Sequence, residues 1–297
     1  MAAVSTAVRA LLNGPPRPGQ VLALVRSAAY LGFQPVGPDR APTILADPTI
    51  LAGPTVLALL GPPAVRLPIG VLLGSAQAAG LARLRVGDPV QVGGGRLRLD
   101  RWSLRPARWW DPTLPLVGSP ARTAVDRLAA GLPCLPDSLA LPTERFAAAL
   151  QAVATLAAGA DELAAATAGL AGLGPGLTPA GDDVLVGALA ASYSTGSAEL
   201  HQSLTAAVRS VTGCSGSTRS GPPARTTDLS AALLHQACAG AGLPQLQAAL
   251  RAVGRGTGIE PATAALADVG GTSGAAIGHG LLLGLRAVAA GSDRQAA

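Results

Sequence analysis

The sequence contains no lysine, because all 22 of its basic residues are arginine. A chain without lysine has neither a Schiff-base residue nor the phosphate-binding lysine of a P-loop. Aromatic residues make up only 2% of the chain and charged residues only 13%. The three cysteines form no CxxC pair, so neither a disulfide framework nor a zinc knuckle is supported. A reducing, cytoplasmic location is therefore expected.

Long uninterrupted apolar segments are missing as well. Gly, Pro or Arg interrupts each candidate before it reaches the ~18 residues that a membrane helix requires. The N-terminal apolar run is cut at residues 13–16, Asn-Gly-Pro-Pro, which is too early for a signal sequence. We therefore expect no association with a membrane.

The basic charge is concentrated in the first part of the chain. Residues 1–118 hold 12 arginines and five acids, whereas residues 119–297 hold 10 arginines and 12 acids. Nucleic-acid-binding surfaces interleave such arginines with aromatic residues, and here only residues 101–110 do so. We expect no nucleic-acid partner. The arginines indicate a solvated face or a surface for an acidic partner.

The composition of the sequence and its predicted secondary structure change near residue 118. Between residues 20 and 116, Gly and Pro recur too often for ordinary helices, and short apolar runs such as 55–60 and 67–73 are typical of strands. Residues 87–100 predict a hairpin with its turn in Gly93-Gly94-Gly95 and one wet face on its second strand. Residues 1–14 and 77–84 are predicted as short helices. Residues 1–118 are thus predicted to form a β-rich barrel or sandwich domain.

Residues 119–297 have helical periodicity, with cap residues before most helices. Helices are predicted near residues 119–131, 143–158, 161–170, 183–193, 199–212, 229–240, 243–253, 261–268 and 274–290. The predicted fold class is therefore α+β, an N-terminal β-rich domain followed by an all-α domain over residues 119–297.

The most informative segment is residues 172–187, Gly-Leu-Gly-Pro-Gly-Leu-Thr-Pro-Ala-Gly-Asp-Asp-Val-Leu-Val-Gly. Its three glycines in five residues allow positive φ and close approach to a ligand. Thr178 and Pro179 are predicted as N-cap and first residue of a helix. A glycine-rich loop before a helix favours an anion. Asp182 and Asp183 favour a polar substrate or a cation such as Mg²⁺, with Asp182 the first choice because it lies nearer the helix start.

Two further loops rich in Gly, Ser and Thr lead into helices, residues 213–228 and residues 270–274. If the three helix starts converge, they form one pocket for a small, oxygen-rich anion. The predicted catalytic residues are Asp182, Asp183 and Asp228. The predicted anion or substrate contacts are Gly174, Gly176, Leu177, Thr178, Arg225, Thr227, Thr272, Ser273 and Gly274. A structural explanation stays open at each position: Asp228 and Ser273 as helix caps, and Arg225 as a solvated charge.

Other site patterns are not supported. His201, His235 and His279 lie on separate predicted helices without metal-ligand spacing, and core or surface roles are expected for them. Ser215 and Ser273 have no adjacent histidine, which argues against a hydrolase triad.

Three motifs occur in order and resemble one protein family. They are Gly-Leu-Gly-Pro-Gly-Leu-Thr-Pro-Ala-Gly-Asp-Asp at residues 172–183, Arg-Thr-Thr-Asp-Leu-Ser-Ala-Ala-Leu-Leu at residues 225–234, and Gly-Thr-Ser-Gly at residues 271–274. Together they resemble the AllH-type subunit of oxamate carbamoyltransferase. The β-rich first part, which closes on Trp-Asp-Pro, is similar as well. One departure is Ala276, where an acidic residue is expected in many members.

The resemblance implies a subunit of an enzyme in purine and allantoin catabolism that exchanges a carbamoyl group between carbamoyl phosphate and oxamate. It also implies two unlike partner subunits and a small anionic substrate. Two alternatives remain open from the residues alone. The chain is a non-catalytic scaffold subunit, or it is a free-standing metal-dependent hydrolase of a small phosphate or amide, which would place Mg²⁺ at Asp182 and Asp183.

Overall fold

The computed structural model of the chain describes residues 2–33, 55–99, 102–156, 159–213 and 225–295. The chain separates into two compact units. The first contains Met1–Pro112 and Ala231–Gln236, and the second contains Thr113–Ser230 and Ala237–Ala297.

The first unit is built on a nine-stranded sheet. Its strands are β1 (Ala2–Ser5), β2 (Arg17–Val25), β3 (Ala28–Phe33), β4 (Thr55–Leu60), β5 (Gly70–Leu72), β6 (Pro89–Gly93), β7 (Arg96–Leu99), β8 (Trp102–Leu104) and β9 (Pro106–Trp110). Their order is β8-β7-β6-β2-β3-β4-β5-β1-β9. The β1–β9 and β4–β5 pairs are parallel, and the other pairs are antiparallel.

The two edge strands of this sheet, β8 and β9, are separated in sequence by Arg105 alone. In a flat sheet, eight strand spacings of ~4.8 Å would place the edges about 38 Å apart. One residue cannot span that distance, because consecutive Cα atoms are ~3.8 Å apart. The sheet must therefore curl until its edges approach each other. The predicted β-rich region is accordingly a nearly closed, barrel-like sheet.

The predicted hairpin is confirmed. Strands β6 and β7 pair with Val92 opposite Leu97. The turn residues Gly94 and Gly95 have φ values of 60° and 74°. Positive φ at both positions is the requirement of a type I′ turn, which glycine meets without strain. Leu97 and Leu99 are buried and Arg98 is exposed, as the alternating pattern predicts.

Two short helices were predicted incorrectly. Residues 2–5 form β1, and only residues 6–13 are helical, as a 3₁₀ turn (Thr6–Val8) and α1 (Arg9–Asn13). Strand pairing on both sides of β1 outweighs the helix propensity of its alanines. The segment 77–84 is not one helix either. It is divided between α2 (Ser75–Ala78) and a 3₁₀ turn (Leu81–Arg83), with Gly80 between them.

The rest of the described chain is helical. Its helices are α3 (Arg122–Gly131), α4 (Thr143–Leu156), α5 (Ala160–Leu170), α6 (Ala180–Ser194), α7 (Ala198–Val211), α8 (Asp228–Cys238), α9 (Pro244–Arg255), α10 (Ile259–Ala267) and α11 (Ser273–Gln295). Within the described part of residues 113–295, the only β-type pairing is an isolated bridge between Thr113 and Ala241. The fold is therefore mixed, a β-rich region followed by a helical one, as predicted.

Several helix starts differ from the prediction by a few residues. Helix α6 begins at Ala180 rather than near residue 183, and Pro179 is its N-cap instead of its first residue. Helix α3 begins at Arg122, two residues after the predicted Ser-Pro start. Gly159, with φ of 90°, precedes α5, so Asp161 lies inside the first turn. A cap depends on the path of the chain before the helix, which local sequence specifies only partly.

Helices α6 and α11 cross at the centre of the helical unit with their backbones in contact. Every residue of α6 except Tyr193 is buried. A Cβ added at Gly280 would overlap the carbonyl oxygen of Val184, and a Cβ at Gly187 would overlap the carbonyl oxygen of Ile277. One turn later, Gly284 lies against Ala191. The crossing is thus possible only because these positions lack side chains.

Within the described residues, α11 is the one helix long and apolar enough to cross a membrane by length and composition alone. The most apolar 18-residue window of this helix, within residues 273–292, is 72% buried inside the protein. This burial identifies α11 as a core helix of the folded chain. The expectation that every apolar run is too short for a membrane helix was therefore wrong for this segment, because the glycines within α11 do not end it.

Candidate functional site

The loop between α5 and α6 contains the first glycine motif. Gly172, Gly174 and Gly176 have φ values of 75°, 111° and 96°, a region that residues with side chains rarely adopt. A Cβ at Gly172 would overlap the carbonyl oxygen of Arg225, whereas a Cβ at Gly176 would meet nothing within 4 Å. Gly172 is therefore required for contact with the second loop, and Gly176 for the turn itself.

Asp182 is completely buried in the first turn of α6. Its Oδ1 accepts the backbone N–H of Gly172 at 2.9 Å. Its Oδ2 accepts the hydroxyl of Ser230 at 2.7 Å and the hydroxyl of Thr226. Burial raises the pKa of Asp182, and the hydrogen bonds from Thr226, Gly172 and Ser230 lower it. The carboxyl of Asp182 thus fastens the second loop to the first.

Asp183 has a different environment, although it is the next residue. Only 5% of its surface is exposed, and its Oδ2 has no hydrogen-bond partner among the described residues. Burial raises the pKa of Asp183 well above its usual range, the hydrogen bond from Ser273 lowers it, and the charge of Asp182 raises it further. A buried carboxyl oxygen without a partner is uncommon, since most such atoms are hydrogen-bonded. Of the two aspartates, Asp183 is therefore the one with an unoccupied hydrogen-bond acceptor.

The third loop joins this arrangement through Ser273, the first residue of α11. Its hydroxyl lies 3.2 Å from the hydroxyl of Thr178, and its side chain also bonds Asp183. Thr178 and Ser273 are half-buried. The hydrogen-bonded network thus runs from the buried carboxyl of Asp183 towards the surface.

The remaining predicted residues of the third loop have mainly backbone roles. Thr272 is exposed, and its carbonyl accepts the N–H of Ala276 at 3.0 Å. Gly274 is buried, and a Cβ there would overlap the carbonyl oxygen of Leu266. Gly274 therefore allows the first turn of α11 to pack against the backbone of α10.

The second loop contacts the first through Thr227. Its hydroxyl donates to the carbonyl of Leu177 at 2.6 Å and accepts the N–H of Ser230 at 3.1 Å, which makes Thr227 the cap of α8. Asp228, the first residue of that helix, is exposed to solvent. The structure therefore does not bring Asp228 into hydrogen-bond contact with the two buried aspartates. Residues 214–224 of this loop lie outside the described residues.

Arg225 lies beside the first loop as well. Its backbone N–H donates to the carbonyl of Val211 at 3.0 Å, and its guanidinium donates to the carbonyl of Ala168 at 3.3 Å. The side chain is exposed, and among the described residues no carboxylate bonds to it. Most of its donor groups are therefore available to an anion from solution.

The backbone N–H groups of the first loop are the other available donors. The first-turn amides of α6 are used locally: Gly181 donates to Leu173, and Asp182 and Asp183 donate to Pro179. By contrast, the amides of the predicted anion-binding residues donate to no described backbone or side-chain acceptor. These residues are Gly174, Gly176, Leu177 and Thr178. Consecutive free amides in such a turn are typical of an anion-binding concavity.

The three predicted loops therefore meet, and their contacts are direct. Thr226 and Ser230 are the two hydroxyl partners of Asp182. Ser230 was not predicted as a site residue, and Thr226 was predicted only as one of the hydroxyl residues of the second loop. Both lie within the quoted Arg-Thr-Thr-Asp-Leu-Ser motif, so their position in that motif was the available signal. Pairing them with Asp182 required the tertiary structure, because 44 and 48 residues separate them from it.

One serine–histidine contact occurs elsewhere in the helical unit. The Nδ1 of His201 lies 3.0 Å from the hydroxyl of Ser192, and its Nε2 lies 3.0 Å from the carbonyl of Cys238. Burial lowers the pKa of His201. Ser192 is fully buried and also donates to the carbonyl of Leu189 at 2.9 Å. This pair joins helices, in agreement with the structural role expected for His201.

Removal of the Ser230 hydroxyl tests the network around Asp182. We expect Ser230→Ala to lower the free energy of unfolding by about 1.5–3 kcal/mol, because a buried carboxylate loses one of its three donors. Urea denaturation followed by circular dichroism measures the change. Ser210→Ala is the matched control, since among the described residues that hydroxyl bonds a carbonyl of its own helix alone. Equal effects of the two substitutions would contradict the expectation.

The described residues offer no cluster of three or more His, Cys, Asp or Glu side chains suited to hold a metal ion. At Asp182, three donors already occupy the carboxyl oxygens. The structure therefore provides no further protein ligands that would favour the hydrolase alternative with Mg²⁺ at the aspartate pair.

Comparison with known proteins bears on the same segment. Residues 170–285 match the family model described as oxamate carbamoyltransferase subunit AllH. The matched span starts at the end of α5 and ends within α11, so it includes all three loops. No curated protein and no solved structure matches the chain. The resemblance first drawn from the motifs is confirmed over this span, and the match supports an AllH-type assignment.

Proposed function

We propose that this chain is a subunit of an oxamate carbamoyltransferase and that its three joined loops bind a small anionic substrate of that reaction. The observation that carries the proposal is the set of backbone amides at Gly174, Gly176, Leu177 and Thr178, which donate to no described acceptor. Thr178 connects this set through Ser273 to the buried carboxyl of Asp183. The family match supports it, because the matched span contains every residue of this arrangement. Other subunits complete the enzyme.

The chemistry of the reaction suits such a site. The amide nitrogen of oxamate attacks the carbamoyl carbon of carbamoyl phosphate and forms a C–N bond. The bond from that carbon to the bridging phosphate oxygen breaks, and the proton released by the nitrogen ends on the departing phosphate. Both substrates carry an anionic end and an amide end. The N–H groups of the first loop can bind the anionic end, and the unoccupied carboxyl oxygen of Asp183 can accept a hydrogen bond from the amide end.

Each loop has an assigned part in this proposal. The amides of Gly174, Gly176, Leu177 and Thr178 bind an oxyanion, and Arg225 pairs with the same anionic group. Thr227, Thr272, Ser273 and Gly274 fix the positions of the loops rather than contact the reacting atoms. The site contains no obvious covalent nucleophile, so positioning and electrostatic stabilisation provide its contribution. Asp228 is exposed and is assigned no chemical step.

Substitution of Arg225 tests the anion site. We expect Arg225→Gln to weaken the affinity of the assembled enzyme for carbamoyl phosphate by about ten- to a hundredfold, because a charge-assisted hydrogen bond contributes about 1.5–3 kcal/mol. Arg255→Gln is the matched control, as that exposed arginine is the last residue of α9 and belongs to none of the three loops.

The measurement is the affinity for carbamoyl phosphate and the rate of carbamoyl transfer to oxamate, with the chain purified together with its partner subunits. Unchanged affinity and rate in the Arg225 variant would contradict the assignment of this residue. A wild-type complex without carbamoyl transfer would contradict the proposed function itself. An active complex whose activity survives substitution at all three loops would instead support a scaffold role for this subunit.

A further inference from the structure

The two adjacent aspartates differ in whether a carboxyl oxygen remains without a hydrogen-bond donor. That difference indicates which part of the substrate binds to this pair of residues. Asp182 accepts three protein donors, whereas the Oδ2 of Asp183 accepts none. An unpartnered carboxyl oxygen that is 95% buried carries a desolvation cost unless a ligand supplies a donor. An enzyme gains specificity when its substrate supplies the hydrogen-bond partner that such a buried group lacks.

We infer that Asp183 is the specificity-determining residue of this site: its free oxygen accepts an N–H of the substrate's amide group and thereby selects oxamate over oxalate. The inference rests on the proposed function. Oxalate has nearly the same size as oxamate but carries a second carboxylate in place of the amide. It therefore offers oxygen atoms where Asp183 requires a hydrogen-bond donor.

The groups around Asp183 support the selection of oxamate over oxalate. Among the described residues, Ser273 donates a hydrogen bond to the Asp183 side chain, and the charge of Asp182 acts on the same carboxyl. Within the described residues, no arginine forms an ion pair with Asp183. A dianion beside the ionised carboxyl of Asp183 meets like charge and an unmatched acceptor, and both effects disfavour it.

The contacts of Thr178 and Ser273 place the two ends of the substrate near each other. Both Thr178 and Asp183 bond the side chain of Ser273. The amide of Thr178 is one of the free donors for the anionic end, and Asp183 is the acceptor for the amide end. A compact molecule with a carboxylate directly beside an amide presents both kinds of group to this arrangement.

Calorimetric titration of the assembled enzyme with oxamate, oxalate and inorganic phosphate tests the inference. We expect the wild-type enzyme to bind oxamate at least about tenfold more tightly than oxalate, since one hydrogen bond to a charged group is worth about that factor. In Asp183→Asn the side chain presents a donor as well as an acceptor. The oxamate-to-oxalate ratio should then fall to near one, while phosphate affinity stays within about twofold.

The control is Asp161→Asn, which removes an exposed first-turn carboxylate from α5. It should leave the ratio unchanged. A wild-type enzyme that binds oxalate as tightly as oxamate overturns the inference even if the Asp183 variant does not fold. An unchanged ratio in a folded Asp183→Asn enzyme overturns it as well. Absence of wild-type binding to both oxamate and phosphate overturns the proposed function, and with it this inference.

Discussion

Replacing Gly280 by alanine is expected to lower the free energy of unfolding by about 3 kcal/mol or more, the upper range for overpacking a tight core. The new methyl group would overlap the carbonyl oxygen of Val184, which is backbone and cannot rotate away. Helices α6 and α11 would have to separate, and both are buried along most of their length. For a unit of this size the melting temperature should fall by roughly 6–12 °C.

Gly187→Ala should have a similar effect, because its methyl group would overlap the carbonyl oxygen of Ile277 from the opposite helix. Gly169→Ala is the matched control. That residue is also helical, but a Cβ there meets only the Pro142 ring, at 4.0 Å. Loss of glycine's flexibility in the unfolded chain should make this control more stable by about 0.4–1 kcal/mol. Stability of Gly280→Ala within about 0.5 kcal/mol of the wild type would show that the close crossing is not a constraint.

The second large effect concerns Asp183 and depends on pH. Burial raises the pKa of this carboxyl in the folded chain, whereas in the unfolded chain it is near ~3.9. The unfolded chain therefore releases the proton first, and folding without ligand favours the neutral form. Asp183 accordingly reduces stability as the pH rises from about 4 towards the raised pKa, by at most about 1.4 kcal/mol per pH unit. The contribution is favourable only below the unfolded pKa.

Asp183→Asn removes this penalty, since an amide has a similar shape and does not ionise. We expect the variant to unfold at a higher denaturant concentration than the wild type at pH 7, and the difference to shrink towards pH 4. Denaturation curves at several pH values measure it. Asp182→Ala is the contrast, because it leaves three donors at a buried position without their acceptor and should destabilise the chain by about 3–5 kcal/mol. A wild type more stable than Asp183→Asn at pH 7 would contradict the predicted direction.

If both expectations about Asp183 hold, one residue reduces stability and confers selectivity. Functional sites commonly lower the stability of a protein in this way, because they keep polar groups where the protein supplies no hydrogen-bond partner. A structural carboxyl shows the opposite behaviour, since its removal costs stability. The stability measurement therefore separates the two aspartates independently of any assay of carbamoyl transfer.

Features that depend on neighbours in sequence could be predicted from the sequence. The Gly94-Gly95 hairpin is one example, because its turn type requires positive φ and its strands alternate. The presence of helices after residue 118 is another. The three loops were also recognisable, since each combines glycines with a helix start.

Features that depend on contacts between distant parts of the chain could not be predicted from the sequence. Strand β1 looks helical locally, and only its pairing with β5 and β9 makes it a strand. Asp182 seemed the better candidate for ligand contact because it is nearer the helix start. The structure gives it donors from Thr226 and Ser230 instead. A one-residue difference along α6 rotates the side chain by ~100°, and no sequence pattern indicates which direction meets those donors.

The crossing of α6 and α11 also affects how far sequences of this type can vary. The first turn of α6 contains Asp183, the first turn of α11 begins with Ser273, and the two helices touch at Gly187 and Gly280. The separation of the two polar groups is therefore set by main-chain atoms rather than by side chains that adapt to their neighbours. An insertion or deletion between residues 183 and 187, or between 273 and 280, would rotate one group away from the other. Changes in length should be accommodated outside these two short intervals.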